Sequence, residues 1–281
     1  MQSAACTPAA RLVVRELPGR GRGLVAVGDV APGEQLATFA AYSHNCDTRA
    51  SECSSTSQCC ATCLRWGVGL PVRCSGCPAA YCSPECHAAA DLRGHQLCCA
   101  ALQRIHAIRP KRKPKYSQEE RNTACFLLRA FAQRASERQR AAAAERGSEG
   151  AAAGTGGGAS EGGRGGEGGD GGEPCGGEPC FEDAMAQEEE TDHTAEERSS
   201  QERAVQLAKL QAAGLIDVPA ALHLLRVAAR NQFHLFDAEE RARGSVMYPQ
   251  ASMINHSCVP NCAMTARGRH LVLEAISEVR S

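Results

Sequence analysis

A run of cysteine and histidine pairs between residues 60 and 99 constrains this chain more than any other feature. Eleven of the seventeen cysteines fall between Cys46 and Cys99. This clustering is typical of metal ligation, and the alternative is a set of buried or disulfide-bonded cysteines. Eight ligands in four ordered pairs suit two tetrahedral zinc ions. The pairs are Cys60 with Cys63, Cys74 with Cys77, Cys82 with Cys86, and His95 with Cys99.

Two of these ligand positions have a competing neighbour in the sequence. Cys59 could replace Cys60, although three residues would then separate it from Cys63, and Cys98 could replace Cys99. Soft sulfur ligands favour zinc over magnesium or calcium. Because protein side chains would fill all eight positions, we expect the zinc to be structural, with no open site for water or substrate.

Composition limits the kinds of molecule that this chain is expected to bind. The chain has 281 residues and a formal net charge of −1, so it lacks the overall basic surface of a protein held mainly by phosphates. A basic run from Arg109 to Lys115 is the local exception. We interpret it as a solvated linker or a nuclear import signal, with nucleic acid at most an auxiliary partner, because Tyr116 is the one stacking aromatic beside it.

Neither a secretory segment nor a run of about eighteen apolar residues is evident in the sequence. We therefore expect no membrane partner and a reducing location, the nucleus or the cytoplasm or both. Zinc-bound thiolates fit such a compartment.

Residue patterns divide the chain into strand-rich ends and helical middle parts. Short β-branched runs predict strands near residues 11–15, 24–27 and 36–39, and again from Val246 onward, clearest at 271–273. Apolar residues at helical spacing predict helices over 119–140, 200–213 and 220–236, with Leu127, Leu128 and Phe131 on one buried face. Residues 141–199 are so rich in Ala, Gly and Glu that we predict a disordered insertion there.

Two further motifs carry chemistry. The seven residues from Asn255 to Asn261 read Asn-His-Ser-Cys-Val-Pro-Asn, and Arg20 to Leu24 form a glycine-rich turn. The order of these motifs around the zinc pairs resembles the SET-and-MYND family of protein lysine methyltransferases. The resemblance covers roughly residues 11–46, 60–136 and 200–281.

The resemblance implies an α+β fold in which a split, β-rich SET domain is interrupted by a MYND-type two-zinc module and a helical insertion. The implied parts are the N-terminal SET segment, the zinc module, a helical connector, the disordered insertion, a helical SET insertion and the C-terminal SET core. Their boundaries are 11–46, 60–99, 100–140, 141–199, 200–245 and 246–281.

The resemblance also implies the cofactors and the site residues. S-adenosylmethionine would be held by Arg20, Gly21, Arg22, Asn231, Ser252, Ile254, Asn255 and His256. The zinc pairs would interleave, so that one ion takes Cys60, Cys63, Cys82 and Cys86 and the other takes Cys74, Cys77, His95 and Cys99.

The implied activity is methylation of a lysine in a histone or another protein substrate. The family's catalytic tyrosine would follow a Gly-Glu-Glu turn beyond Ser281, so we assign no catalytic residue and do not expect Tyr248 to replace it. Two alternatives belong to other classes of protein. One is a non-catalytic zinc adaptor that binds proline-containing peptides through the MYND module, and the other is a zinc-stabilised nucleic-acid binder.

Overall fold

A computed structural model describes residues 12–46, 58–67, 70–108, 114–152, 179–187, 191–237 and 240–280. It contains six α-helices and twelve short β-strands within these ranges. Helices and small antiparallel sheets pack together, which confirms the predicted α+β class. Across the described ranges, the structure holds no helix with the length and apolarity needed to span a membrane.

The first described residues form one β-hairpin and two further strands. Strands β1 (Leu12–Leu17) and β2 (Gly21–Ala26) pair antiparallel around a turn in which Gly19 has a φ of 71°. Strands β3 (Gln35–Ala40) and β4 (Ser43–Cys46) follow. The predicted β-branched runs lie in β1 to β3, apart from residue 11, which is outside the described residues, and Val27, which follows β2.

The zinc-ligand module, residues 58–106, consists of four two-residue strands and two helices. The strands are β5 (Gln58–Cys59), β6 (Trp66–Gly67), β7 (Val72–Arg73) and β8 (Ala80–Tyr81). Helix α1 (Pro84–Leu92) is capped at its N-terminus by Ser83, whose side-chain oxygen accepts a hydrogen bond from the Cys86 amide. Helix α2 (His95–His106) follows Gly94, which has a φ of 83°. Strands this short suit a segment whose loops are organised around its ligand residues.

Four helices make the apolar core of the middle of the chain. They are α3 (Gln118–Ala152), α4 (Phe181–Met185), α5 (Ala195–Gln211) and α6 (Val218–Asn231). Leu127, Leu128 and Phe131 of α3 are buried, as their helical spacing predicts. A capping box between Thr194 and Glu197 fixes the start of α5.

The predicted disordered insertion differs from the structure at both ends and at α4, which lies inside it. Helix α3 continues past residue 140 to Ala152, and α5 begins at Ala195. Alanine and glutamate favour helix, so the Ala-rich stretch that follows residue 140 extends α3. Residues 153–178 and 188–190 of the predicted insertion lie outside the described residues.

The predicted helix over 220–236 is wrong in its last turn. Helix α6 ends at Asn231, and Gln232–Phe236 form strand β9, which pairs with β10 (Ala242–Met247). Phe233 and Phe236 therefore do not share a helical face with Leu225. Strand pairing overrides the local helical spacing here.

Strands from both ends of the chain form common sheets. Beyond the short 3-10 helix Ala251–Met253 come β11 (Cys262–Arg267) and β12 (His270–Ala275). One sheet has the order β4-β10-β9 and another has the order β11-β12-β3. The described parts of residues 12–46 and 232–279 thus enclose one apolar core, which includes Leu12, Phe39, Tyr248 and Leu273.

Candidate functional site

The first metal-ligand group joins two parts of the zinc-ligand module. The thiol sulfurs of Cys60, Cys63, Cys82 and Cys86 all lie within 4.8 Å of one another. The Cys63 and Cys82 sulfurs are 3.7 Å apart, and those of Cys82 and Cys86 are 3.5 Å apart. A tetrahedral zinc with Zn–S bonds of about 2.3 Å would set its ligand sulfurs about 3.8 Å apart. The group therefore has the dimensions of a zinc-thiolate site.

The second group has three thiols and one imidazole. Cys74, Cys77, His95 and Cys99 place one ligand atom each within 4.8 Å of one another. The His95 Nε2 atom lies 3.3 Å from the Cys74 sulfur and 3.7 Å from the Cys77 sulfur. The Cys74 and Cys99 sulfurs are 3.5 Å apart. The two groups interleave along the chain in the order that the resemblance implies.

The competing cysteines lie outside both groups. The Cys59 thiol donates to the Cys60 carbonyl at 3.6 Å, and the Cys98 thiol donates to the His95 carbonyl at 3.4 Å. Cys98 is 1% exposed in the apolar core beneath α2. The structure thus places Cys60 and Cys99, and not their neighbours, where a metal could bind.

The thiols of the two groups differ in their acidity. Burial raises the pKa of Cys86 and of Cys99 to about 12, and neighbouring sulfurs add to the effect. For Cys63, burial acts in the same direction, but hydrogen bonds led by that from Arg65 outweigh it and lower the pKa to about 7. Zinc binds thiolates, so an ion that binds here displaces thiol protons. The donor chemistry and the spacing of both groups fit Zn²⁺.

The glycine-rich turn and the Asn-His-Ser-Cys segment meet in the structure. A Cβ atom built on Gly23 would lie 2.2 Å from Nδ2 of Asn255 and 2.6 Å from Cδ1 of Leu17. Real Cβ atoms do not come so close to other atoms, so residue 23 must be glycine for the Asn255 amide to lie where it does. The two predicted halves of the donor pocket are therefore in contact.

Hydrogen bonds attach the end of α6 to the segment before Asn255. The Ser252 hydroxyl lies 3.3 Å from the Asn231 carbonyl and 3.0 Å from the Tyr248 carbonyl, and can donate to either. The Asn231 amide donates to the Val227 carbonyl at 2.8 Å, inside α6. Two further predicted donor-site residues, Asn231 and Ser252, are thus neighbours in the fold.

The other predicted donor-site residues are less closely grouped. Arg20 and Gly21 are exposed at the β1–β2 turn, and the Arg22 guanidinium donates to the Ala186 carbonyl beside α4. Ile254 packs against the apolar core. His256 is exposed, with its Nε2 atom 3.5 Å from the sulfur of Cys258.

Sequence reasoning missed Gly23 and Leu17 as parts of this site. Gly21, which the resemblance includes among the donor-binding residues, has a φ of 66° at the start of β2. The Asn255 contact itself has no local signal.

Tyr248, whose carbonyl lies 3.0 Å from the Ser252 hydroxyl, is a buried tyrosine beside this site. Its side chain is 1% exposed, and its ring meets that of Phe233 edge-on at 5.4 Å. Burial raises the pKa of its hydroxyl to about 12. A tyrosine in this environment stays protonated at neutral pH, so it offers no general base.

Most of the basic run from Arg109 to Lys115 cannot be related to the site, because residues 109–113 lie outside the described residues. Lys115 lies over the ring of Tyr116, 5.3 Å from its centre. The interpretations of this run therefore stay predictions.

Comparison with known proteins gives one matching family model and two related methyltransferases. A family model for the SET domain matches residues 112–281. The chain is 36% identical over 67 residues to mouse histone-lysine N-methyltransferase SMYD3, and 37% identical over 65 residues to the human protein of the same name. These segments cover 23% and 22% of this chain, but 16% and 15% of the relatives. The aligned parts thus span well under a fifth of the relatives' lengths.

Proposed function

Because this chain belongs to the SET-domain family, we propose that it is a protein-lysine N-methyltransferase that uses S-adenosylmethionine. The contact between Gly23 and the Asn255 amide is the observation that carries this proposal. It joins the two sequence motifs that a donor pocket needs, although they lie near opposite ends of the chain. Exposed Asn255 and His256 leave polar groups available to a ligand at this junction.

The chain's own residues would bind and orient the donor. S-adenosylmethionine, when bound, supplies a methyl group activated by its sulfonium. Asn255 and His256 would hold the donor by amide and backbone hydrogen bonds, while Ser252 fixes the segment before them through the Tyr248 carbonyl. The positive charges of Arg20 and Arg22 suit the donor's carboxylate. Catalysis then depends on alignment of a neutral amine and exclusion of water, which are demands of position.

Two structural zinc ions would complete the protein. Each ligand group in the zinc-ligand module supplies four donors, so neither ion keeps an open position for chemistry. The zinc would stabilise the module, as is usual where a small unit has little apolar core of its own. The four-residue buried cluster of Cys60, Leu70, Ala80 and Tyr81 is such a core.

The substrate of this function is a lysine side chain of a protein, a histone or another. Both matched relatives carry the name histone-lysine N-methyltransferase. We place the activity in the nucleus, the cytoplasm or both. Proteins rather than lipids or nucleic acids are its partners in this proposal.

Donor binding tests the proposal directly. Titration calorimetry of S-adenosylmethionine into the zinc-loaded chain should give saturable binding, and Asn255→Ala should weaken it at least about tenfold, the equivalent of about 1.4 kcal/mol. Asn122→Ala is the control, because Asn122 lies on α3 and bonds to Gln118 there. Donor binding that survives Asn255→Ala unchanged would overturn the assignment of this segment.

A second candidate function has its own observation. Leu92 on α1 and Leu97 on α2 are 64% and 40% exposed on the zinc-ligand module. Exposed apolar side chains on such a module would suit an adaptor that binds proline-containing peptides. A labelled proline-rich peptide whose binding is lost in Leu97→Ser, in a chain that does not bind S-adenosylmethionine, would favour the adaptor over the enzyme.

A further inference from the structure

A small, partly open cavity lies between the zinc-ligand module and the rest of the fold. Its volume is about 60 Å³. The cavity is lined by the zinc-ligand module, by α3 and by residues around β4. Tyr81, Arg129 and His44 are one lining residue from each. A single water needs about 10–15 Å³ of such space, so the cavity has space for a group of several heavy atoms.

Three arginines line this cavity: Arg93, Arg129 and Arg269. Arg269 is only 7% exposed. Arg129 lies 3.5 Å from the His44 carbonyl, to which it donates, and Arg269 donates to the Ala41 carbonyl. Among the described lining residues there is no aspartate or glutamate. Three guanidinium groups thus contribute positive charge to the walls.

Tyr81 supplies an independent sign of a missing ligand. Its side chain is fully buried, at 0% exposure, and it lines the same cavity. Its hydroxyl group has no hydrogen-bond partner among the described residues. A buried polar group without a partner is costly, and a bound group that accepts a hydrogen bond would remove that cost.

The electrostatics of His44 show that the three positive charges act on one place. The pKa of His44 is held well below its usual range by burial first, and then by Arg129, Arg269 and Arg93. His44 lines the cavity with these arginines. A positive potential at this position would also attract an anion.

An open cleft adjoins the cavity. The cleft shares Thr62, Arg93 and Arg269 with it, and adds Arg65 and Arg267 on the outside. Arg267 is exposed, and its guanidinium lies 3.4 Å from the carboxylate of Glu274. The cleft thus continues the arginine-lined surface of the cavity.

We propose that this cavity binds a free inorganic oxyanion of the phosphate class, held by Arg93, Arg129, Arg269 and the Tyr81 hydroxyl. Guanidinium groups present paired N–H donors that match the oxygens of such an anion. The bound ion bridges the zinc-ligand module, through Tyr81 and Arg93, to α3 and to the β11–β12 turn. The site is separate from the proposed methyl-donor pocket, so it does not depend on methyl transfer.

Inorganic phosphate is the probe for this proposal. Thermal unfolding and titration calorimetry of the zinc-loaded chain are compared in phosphate and in sodium chloride of equal ionic strength and pH. We expect phosphate to raise the melting temperature, and chloride not to. Zinc content is measured in parallel and should stay at two ions per chain, so that any metal removal by phosphate is detected.

Three variants locate the bound ion. Tyr81→Phe removes one hydroxyl and should weaken phosphate binding about tenfold, since a hydrogen bond to a charged group contributes about 1.5 kcal/mol or more. Arg129→Gln should weaken it by at least as much. Arg138→Gln, an exposed arginine further along α3, should leave it unchanged.

Equal stabilisation by phosphate and chloride would overturn the proposal, as would wild-type affinity in both Tyr81→Phe and Arg129→Gln. Should Arg129→Gln fail to fold, Tyr81→Phe decides alone, because the hydroxyl that it removes has no partner in the described structure.

Discussion

Replacing Gly23 with alanine should disrupt the proposed donor site without unfolding the protein. Gly23 is buried in β2, and the added methyl group would lie 2.2 Å from the Asn255 amide nitrogen. The amide belongs to an exposed side chain, so it can rotate away. Leu17 would have to shift as well, because its Cδ1 atom would lie 2.6 Å from the same methyl group.

The size of the effect follows from what the amide would lose. Displacing Asn255 removes its hydrogen bonds to a bound donor, each with a net contribution of about 0.5–1.5 kcal/mol. Loss of two such bonds corresponds to a dissociation constant about five- to 150-fold higher. Overpacking against Leu17 should cost about 1–3 kcal/mol of folding stability.

Titration calorimetry with S-adenosylmethionine and urea unfolding together separate these two effects. Gly214→Ala is the matched control, because a Cβ there would meet nothing within 4 Å and Gly214 has no positive φ. That variant should bind the donor as the wild type does. Gly23→Ala should remain folded at the titration temperature and bind weakly.

A double-mutant cycle tests the contact itself. In an Asn255→Ala background the amide is absent, so Gly23→Ala should cause little further loss of donor affinity. Undiminished donor binding by folded Gly23→Ala would refute the reasoning. Fully additive losses in the double mutant would show that the two residues act separately, which the 2.2 Å approach does not allow.

Three further outcomes are expected. Cys60→Ser should lower the zinc content from two ions to one per chain by elemental analysis, whereas the neighbouring Cys59→Ser should keep both. Because burial and nearby guanidinium groups depress the pKa of His44, the unfolded state takes up its proton first, so stability should fall as pH drops below 6.5; urea unfolding of His44→Gln should show a shallower fall. Asp237→Asn should cost about 3 kcal/mol in the same assay, because the 1% exposed carboxylate binds Arg243 at 2.8 Å.

The parts that the sequence predicts well are those in which neighbouring residues decide the outcome. Ser83 and Pro84 mark the start of α1, and β-branched residues such as Val13 and Val14 mark a strand. The spacing of cysteine pairs likewise restricts which thiols can share a metal. The choice between Cys60 and Cys59 depends on more than the sequence, because their spacings to Cys63 differ by only one residue. The structure places the Cys60 sulfur in the ligand group.

The parts that it misses depend on residues far apart in the chain. Phe233 continues the helical spacing of α6, yet it pairs with Val246 in a sheet. The backbone at Gln232 is extended, with a φ of −83° and a ψ of 150°. Gly23 similarly shows no need for glycine until Asn255 is placed against it. The local sequence pattern predicts neither contact.

Two more glycines lie at close contacts between the zinc-ligand module and the rest of the fold. A Cβ on Gly268, in the β11–β12 turn, would lie 2.5 Å from the Cys63 carbonyl. One on Gly94 would lie 2.3 Å from the Ala132 carbonyl of α3. The zinc-ligand module thus contacts the β11–β12 turn beside Cys63, one of its candidate metal ligands. Since β12 pairs with β3, zinc bound through Cys63 would stabilise the module where it packs beside the β11-β12-β3 sheet.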